Sequence, residues 1–182
     1  MQFIERLESV IGKKEVRTGG LDVDPLTTDH TVMISGERGF YHHGGSDEDT
    51  YTGLNGLRDI YHYRGLGDAT LPTGLGEVET LNNYRAKDDL GRDEDMIVFD
   101  KKFDIVGIEE KHLTRDDVTN MKFDISGVPQ AKLVYDTESY SPHTYIVGDA
   151  NGDGWADSLI SVREHITADD IHFGFFGEVP LL

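Results

Sequence analysis

Short apolar segments recur at nearly regular intervals through the second half of the chain, and turn-forming residues separate them. From residue 96 onward these segments cover residues 96–99, 104–108, 120–125, 131–135, 145–147, 158–162 and 172–176. Such segments, bounded by Gly, Pro, Asn and Asp, are typical of β-strands. Their number and spacing predict an all-β fold. Residues 167–170, Thr-Ala-Asp-Asp, predict a helix start or a turn before the last strand.

The first 34 residues follow a different pattern. Residues 2–13 predict one short amphipathic helix that ends at Gly12, because their apolar side chains share one face: Phe3, Leu7, Val10 and Ile11. Residues 18–31 are polar and rich in turn formers, which indicates a loop or an edge segment. We therefore expect an N-terminal helix and extended segment over residues 1–34 and a β domain over residues 35–182, packed together as one compact domain.

Glycine and aspartate recur with a period close to nine in the first part of that β domain. Residues 44–52 (GGSDEDTYT) fit a nonapeptide G-G-x-G-x-D-x-U-x, where U is a large apolar residue, except that Asp47 replaces the third glycine. Residues 53–61 follow with Asp59 one position late, and residues 36–43 are one residue short. Each such nonapeptide forms one short strand and one tight turn that binds calcium between coils. A glycine-rich hairpin without metal is the alternative.

Residues 149–157 (DANGDGWAD) have the composition and spacing of a calcium-binding loop. Oxygen-bearing side chains stand at loop positions one, three, five and nine: Asp149, Asn151, Asp153 and Asp157. They can converge on one hard cation that takes six to eight oxygen ligands. Gly154 permits the sharp turn after the third ligand, and the carbonyl of Trp155 adds a further oxygen.

This loop differs from an EF-hand. An EF-hand requires a bidentate Glu at position twelve and a helix on each side, whereas position twelve is Ile160 and both flanks are strand-like. A strand–loop–strand setting with Asp at position nine is more similar to the calcium loops of integrin-type β-propeller blades. The alternative is a metal-free turn, since Gly, Asp and Asn favour turns in any case.

The charge of the chain favours a cation ligand. The formal net charge is −18, from 35 acidic and 17 basic residues, which argues against nucleic acid and anionic membrane surfaces as partners. Divalent cations would relieve the self-repulsion, although a merely salt-adapted acidic surface has the same composition. There is no cysteine, hence no disulfide and no thiolate metal site, and no apolar run approaches the roughly 20 residues of a membrane-spanning helix. The first residues lack the pattern of a cleavable signal peptide.

The order of these parts resembles the C-terminal calcium-binding region of RTX proteins, the type I-secreted family that includes serralysin-type proteases and the R-modules of alginate epimerases. The resemblance covers residues 35–176. In chain order it rests on the repeats at 44–61, a closing strand at 59–63, an acidic segment at 93–99 similar to G-E-D-x-I-D-L, and tail segments at 131–136, 149–157 and 166–173.

The resemblance implies a short, degenerate parallel β-roll followed by an antiparallel β-sandwich-like cap. It also implies that Asp49 binds a roll calcium, with Gly45, Asp47 and Gly53 around it, and that Asp59 contributes. Such proteins leave Gram-negative bacteria through the type I secretion machinery, which reads an uncleaved C-terminal signal. The apolar tail at residues 173–182 suits that signal, so we expect an extracellular protein.

The expected function is a calcium-binding module that folds on calcium and has no catalysis of its own. The chain contains neither H-E-x-x-H nor G-x-S-x-G, and it has no thiol nucleophile. One alternative is a calcium-dependent carbohydrate-binding or adhesive module whose aromatic residues stack on sugars: Tyr41, Tyr51, Tyr61, Tyr63 and Trp155. A small polysaccharide-acting enzyme that uses Asp and His is the less favoured alternative. Beyond calcium and the secretion machinery, the expected partner is a polysaccharide or a partner domain.

Overall fold

A computed structural model describes residues 50–53, 59–69, 71, 78–86 and 95–174, together with the backbone of three earlier strands. Across these residues there are twelve strands: β1 (Val16–Thr18), β2 (His30–Ile34), β3 (Phe40–His43), β4 (Thr50–Thr52), β5 (Ile60–Tyr63), β6 (Glu79–Asn82), β7 (Met96–Phe99), β8 (Asp104–Glu110), β9 (Gln130–Tyr135), β10 (Thr144–Asp149), β11 (Ser158–Val162) and β12 (Ile171–Phe173). A single short helix, α1 (Arg115–Thr119), is described. The all-β class is confirmed.

The strands form two six-stranded sheets. Sheet A has the order β1-β2-β3-β5-β7-β12, and sheet B has the order β4-β6-β11-β10-β9-β8. From β3 to β7 the chain alternates between the sheets. Neighbours within this stretch pair in parallel: β3 with β5 and β5 with β7 in sheet A, and β4 with β6 in sheet B. Strands β3, β4 and β5 lie at the ends of the three glycine-rich segments in turn.

The C-terminal half completes both sheets. Strands β9, β10 and β11 form an antiparallel meander in sheet B, and β11 also pairs in parallel with β6. Strand β8 pairs in parallel with β9, so the chain between them must cross over, and α1 lies in that crossover. Strand β12 returns to sheet A beside β7. At the other end of sheet A, β1 and β2 extend the sheet from β3 by antiparallel pairing.

One strand prediction was wrong. Residues 120–125 form no strand beyond an isolated bridge between Lys122 and Trp155. The reason lies just upstream, where a capping box starts α1: the Thr114 hydroxyl accepts from the Asp117 N–H (3.2 Å), and the Asp117 carboxylate accepts from the Thr114 N–H (3.0 Å). The chain then leaves the helix as coil.

Two further expectations concern the ends of the chain. The expected start or turn at 167–170 is present as a 3₁₀ turn, Ala168–Asp170, capped by Thr167. The helix expected at 2–13, and the last two residues of the strand expected at 172–176, lie outside the described residues.

Sheet B is covered on both faces. Its inner face and the facing side of sheet A share one core cluster, to which Leu81, Leu133, Ile146 and Ile160 contribute from sheet B and Tyr61, Ile97 and Phe99 from sheet A. Its outer face forms a second cluster, in which Val134, Val147 and Leu159 pack with Val118, Met121 and Phe123 from α1 and the coil that follows it. Adjacent residues of one strand therefore enter opposite cores, as the two-residue period of a strand requires. The hairpin between β10 and β11 therefore projects from two strands that are packed on both faces.

Truncation of Leu133 tests this architecture, with Ile108 as a matched control. The two residues are cross-strand neighbours in β9 and β8, but Leu133 is fully buried and Ile108 is 57% exposed. We expect Leu133→Ala to lower the free energy of unfolding by about 2–5 kcal/mol and Ile108→Ala by less than about 1 kcal/mol. Urea denaturation of both variants measures this, and equal losses would contradict the described core.

Candidate metal site

The candidate site occupies the connection between β10 and β11. Asp149 is the last residue of β10, and residues 150–157 lead into β11. The N–H of Asp157 donates to the carbonyl of Gly148 (2.8 Å), which closes the base of the hairpin. The loop is therefore held at both ends by the central antiparallel pair of sheet B.

The loop is wound around the carboxylate of Asp149, which is fully buried. Its Oδ1 accepts from the N–H groups of Gly152 (2.7 Å) and Asp153 (3.2 Å), and its Oδ2 accepts from the N–H of Gly154 (2.8 Å). Three backbone donors thus point at one carboxylate. This is the arrangement that allows a charged oxygen pair to be enclosed by main chain.

The other predicted ligand side chains also bond within the loop. Asn151 Oδ1 accepts from the Asp153 N–H (2.8 Å), and Asp153 Oδ1 accepts from the Trp155 N–H (3.0 Å). Asp157 Oδ1 accepts from the Ala150 N–H (2.7 Å), across the mouth of the loop. These bonds orient each side chain toward the loop. Each bond uses one lone-pair position of one side-chain oxygen.

Negative charge accumulates here without a basic partner. Throughout the described part of the chain, the ion pairs of Lys, Arg and His involve other carboxylates and none from this loop. Burial raises the pKa of Asp157 above its ordinary value; the N–H groups of Ala150 and Asn151 oppose the rise, and the charges of Asp149 and Asp153 add to it. Three carboxylates therefore repel one another across this loop.

A neighbouring segment holds the loop from outside. The Phe123 N–H donates to the carbonyl of Gly154 (3.0 Å), and the Ala156 N–H donates to the carbonyl of Met121 (3.3 Å). These two bonds make the isolated bridge, and neither uses the carbonyl of Trp155, the oxygen predicted as a ligand.

Two glycines let the loop turn so tightly. Gly152 and Gly154 have φ angles of 75° and 93°, in the region that disfavours residues with a Cβ. Gly152 also lies against the backbone of the neighbouring segment, because an added Cβ would lie 2.6–2.8 Å from atoms of Gly127 and Val128. The Gly154 prediction is thus confirmed as a turn requirement, and Gly152 shares it.

The oxygens that remain fit a hard cation. A carboxylate offers about four lone-pair positions, so Asp153 and Asp157 keep acceptor capacity after their loop bonds, as do the Asn151 amide oxygen and the Trp155 carbonyl. These donors are all oxygens, the type that Ca²⁺ prefers. Within the described residues, no three His, Asp or Glu side chains are grouped so as to hold a metal ion. Asp149, Asp153 and Asp157 are therefore not brought together as three ligands of one ion, and the other two predicted oxygens of the loop are an amide and a main-chain carbonyl.

The repeat region supplies a second cluster of acids. Asp59 and Asp95 each stand one residue before a strand of sheet A, β5 and β7, and both are buried. Asp95 Oδ1 accepts from the Asp59 N–H (2.9 Å), and Asp95 Oδ2 accepts from the Arg85 N–H (2.8 Å). Arg85 Nη2 also lies 3.7 Å from Asp95 Oδ1, so a basic side chain compensates this pair.

This cluster brings together two of the predicted roll ligands. A Cβ on Gly53 would lie 2.6 Å from Asp59 Oδ2, so the Gly53 backbone is in contact with that carboxylate. Gly45, Asp47 and Asp49 lie outside the described residues. Asp95 was not among the predicted ligands, although a signal existed: an aspartate directly precedes both apolar segments.

The tyrosines of the repeats face the interior. Tyr51, Tyr61 and Tyr63 are buried, and the Tyr63 hydroxyl donates to Glu79 Oε1 (2.9 Å). They therefore present no ring face to a sugar. Trp155 is 47% exposed, with Lys122 Nζ 4.9 Å from its ring centroid. The side chain of Tyr41 lies outside the described residues.

Comparison with protein-family models, with curated proteins and with solved structures finds no match to this chain. None of the helices in the described part is long and apolar enough to cross a membrane. The site must therefore be interpreted from its own geometry.

Two glycine-to-alanine variants test the contact between the loop and its neighbouring segment. Gly152 and Gly127 both have positive φ, but a Cβ on Gly127 (φ 68°) would meet nothing within 4 Å. We expect Gly127→Ala to cost about 1–2 kcal/mol from backbone strain alone, and Gly152→Ala to cost at least about 3 kcal/mol because its Cβ collides with main chain. Urea denaturation compares them. Similar costs would show that the loop does not lie against that segment.

The buried Asp95 predicts a pH dependence of stability. Burial raises the pKa of Asp95 from 3.8 to about 7, the charge of Asp59 adds to the rise, and the Asp59 and Arg85 hydrogen bonds oppose it. Because the folded pKa exceeds the unfolded one, the native state binds the extra proton. The free energy of unfolding should therefore fall as pH rises from about 4 to about 7, on the order of a few kcal/mol, and level off above.

Asp95→Asn isolates this effect from the general repulsion of an acidic chain. We expect the variant to lose most of the slope between pH 4 and 7 that the parent shows in urea titrations with a chelator present. Parallel curves for the two proteins would mean that Asp95 ionises normally.

Proposed function

We propose that this chain is a calcium-binding module whose folding depends on calcium, without catalytic activity of its own. The observation that carries the proposal is the Asp149 carboxylate, which is fully buried at the head of a loop with two further carboxylates and no basic partner among the described residues. Buried charges in proteins are paired or coordinate metals. A calcium ion in the loop would supply the missing positive charge.

The donor set favours calcium over other cations. Asn151, Asp153, Asp157 and the Trp155 carbonyl offer only oxygen, and the set contains neither the imidazole nor the thiolate typical of zinc and copper sites. Magnesium demands near-ideal octahedral geometry and retains several waters, whereas calcium accepts six to eight ligands in flexible geometry. A loop that mixes carboxylate, amide and carbonyl oxygens therefore suits calcium better than magnesium.

A purely structural turn explains less of the loop. The hydrogen bonds of a metal-free turn require an acceptor at positions 151, 153 and 157, and a neutral amide would provide it. Charged Asp153 and Asp157 add repulsion to the buried Asp149 instead. A bound cation turns this repulsion into attraction.

We further propose that the domain is RTX-like, a short parallel β-roll followed by a cap. Support comes from the alternation of β3 to β7 between two sheets with parallel pairing in each, and from a strand at the end of each repeat. The antiparallel meander β9–β10–β11 would be the cap. In this proposal Asp59 and Gly53 belong to a roll site, together with Gly45, Asp47 and Asp49.

The proposed setting is outside the cell, after type I export from a Gram-negative bacterium. Extracellular calcium modules bind with dissociation constants of roughly 10⁻⁴ to 10⁻³ M. At about 1 mM calcium, a site at the tighter end contributes roughly 1.4 kcal/mol to stability. In a compartment with little free calcium that contribution is absent, and the repulsion in the loop is unrelieved. The chain would then stay loosely folded until it is exported.

Thermal melting with calcium against chelator tests the proposal. We expect 1 mM calcium to raise the melting temperature by about 3–6 °C per site, measured by circular dichroism. Asp153→Asn should remove most of the rise that comes from the loop. The amide oxygen at 153 can still accept from the Trp155 N–H, so the loop keeps that bond and loses only the charge.

Asp169→Asn is the matched control, since Asp169 is exposed on the 3₁₀ turn and its side chain makes no described bond. It should leave the calcium response unchanged. A melting temperature indifferent to calcium in the parent protein would overturn the proposed function. If calcium raised the melting temperature equally in the Asp153 and Asp169 variants, the calcium site would not be in this loop.

A further inference from the structure

A pocket with mostly apolar walls and four charged residues lies where β5 and β7 end in sheet A, separate from the proposed ligands of the hairpin loop. Its volume is about 400 Å³, which lies within the range of small-molecule sites. Two basic and two acidic side chains line it, Arg64, Lys101, Asp68 and Asp100, and its apolar wall includes Phe103 and Pro129. Mixed walls of this kind orient a ligand through a few polar groups and cover its apolar face.

The pocket is built on fixed backbone. The Asp100 N–H donates to the Tyr63 carbonyl (2.9 Å), and the Lys101 N–H donates to the Arg64 carbonyl (3.1 Å), so the pairing of β5 with β7 continues past the strands. Both basic residues are thereby held side by side. The stem of Lys101 also lies along Gly65, where an added Cβ would be 3.4 Å from Lys101 Cδ.

The carboxylates of the pocket already have partners. Asp100 Oδ1 lies 2.7 Å from Nε2 of the buried His62. Asp68 Oδ2 accepts from the Arg64 N–H (2.6 Å). Burial raises the pKa of Asp68, and the neighbouring Arg64 opposes the rise. Neither acid therefore calls for a cationic ligand.

The basic groups are only partly paired. Arg64 forms an ion pair with Asp68, but its buried Nε lies 3.6 Å from Asp68 Oδ2, too far for a hydrogen bond, and has no other acceptor among the described residues. The Lys101 ammonium forms no ion pair with any residue that the structure describes. Both cations therefore keep donor capacity for an anion, Arg64 through its buried Nε and the exposed Lys101 through its ammonium.

We propose that this pocket binds a small organic anion that carries hydroxyl groups. The carboxylate of the ligand accepts from Arg64 and Lys101, as charge-assisted hydrogen bonds are among the strongest a protein forms. Hydroxyls of the ligand donate to Asp68 and Asp100, which retain acceptor capacity. The C–H face of the ligand covers Phe103. Hydroxyls without a carboxylate would leave the two cations unsatisfied, and a carboxylate alone would not use the acids.

The proposal does not depend on calcium in the hairpin loop. None of the four charged residues of the pocket is a predicted calcium ligand, although Ala150, the second residue of the loop, forms part of the wall. The test is therefore run at one fixed, saturating concentration of free calcium. Failure of ligand binding with an intact calcium response would then count against the pocket alone.

Calorimetric titration with D-glucuronate, D-glucose and acetate tests the pocket. Glucuronate presents a carboxylate beside several hydroxyls, and the other two probes each lack one of these features. We expect glucuronate to bind at least about tenfold more tightly than either comparator, because each loses a set of hydrogen bonds to charged groups. No detectable glucuronate binding at millimolar concentration, or glucose binding as tight as glucuronate binding, would overturn the proposal.

Lys101→Met and Lys102→Met form a matched pair of variants. Both residues are exposed, both changes remove one positive charge, and only Lys101 lines the pocket. We expect Lys101→Met to weaken glucuronate binding about tenfold and Lys102→Met to change it less than about twofold. Equal losses would show that the anion responds to general charge and not to this pocket.

Arg64→Lys provides a second variant that keeps the charge. It removes the planar fork of donors and should weaken glucuronate binding while the circular dichroism spectrum stays unchanged. Unaltered affinity in this variant and in Lys101→Met together would remove the basis for the proposal.

Discussion

A carboxylate that leaves water needs hydrogen bonds, and the Asp149 carboxylate obtains three from the loop that it begins. The loop can supply them only if Gly152 and Gly154 adopt positive φ and if the chain returns at once into β11. That return in turn requires β10 and β11 to be fixed neighbours. They are, because sheet B is packed on both faces by Ile146 and Val147 on alternate sides.

The same problem of enclosed negative charge is solved differently in sheet A. The guanidinium of Arg85 lies at ion-pair distance from Asp95, and the N–H groups of Asp59 and Arg85 donate to the Asp95 carboxylate. The hairpin loop has main-chain donors only. This contrast separates a buried acid pair beside a basic side chain from a loop whose carboxylates have no basic partner among the described residues, which is why we propose calcium at the loop first.

Much of the fold could be predicted from local sequence. Strands β7 and β11 match their apolar segments residue for residue, and the repeats mark β3, β4 and β5, because each of these depends on a short apolar segment bounded by turn residues. Residues 120–125 alternate between polar and apolar as a strand would, yet α1 precedes them and they pack as coil on sheet B. Local alternation cannot distinguish a strand from an extended coil that covers a sheet.

The candidate sites also differ in how far the sequence alone predicts them. The hairpin loop is contiguous, so its acids could be identified by their spacing. The pairing of Asp59 with Asp95, and of Arg64 with Lys101, joins residues about 36 positions apart through the register of β5 with β7. Such pairs can be identified only when the strands are aligned, because no spacing rule in the sequence links a residue next to β5 to a residue next to β7.

The order in which strands join the sheets limits when this fold can form. Strand β6 gains its neighbour β11 only after residue 162 has been made, and β7 gains β12 only after residue 173. During synthesis, β6 and β7 therefore have an unpaired edge and an incomplete core until those later strands have been made. Contacts of such long sequence separation also form slowly. The nascent chain is consequently kept from early closure by its own topology, whatever the supply of metal.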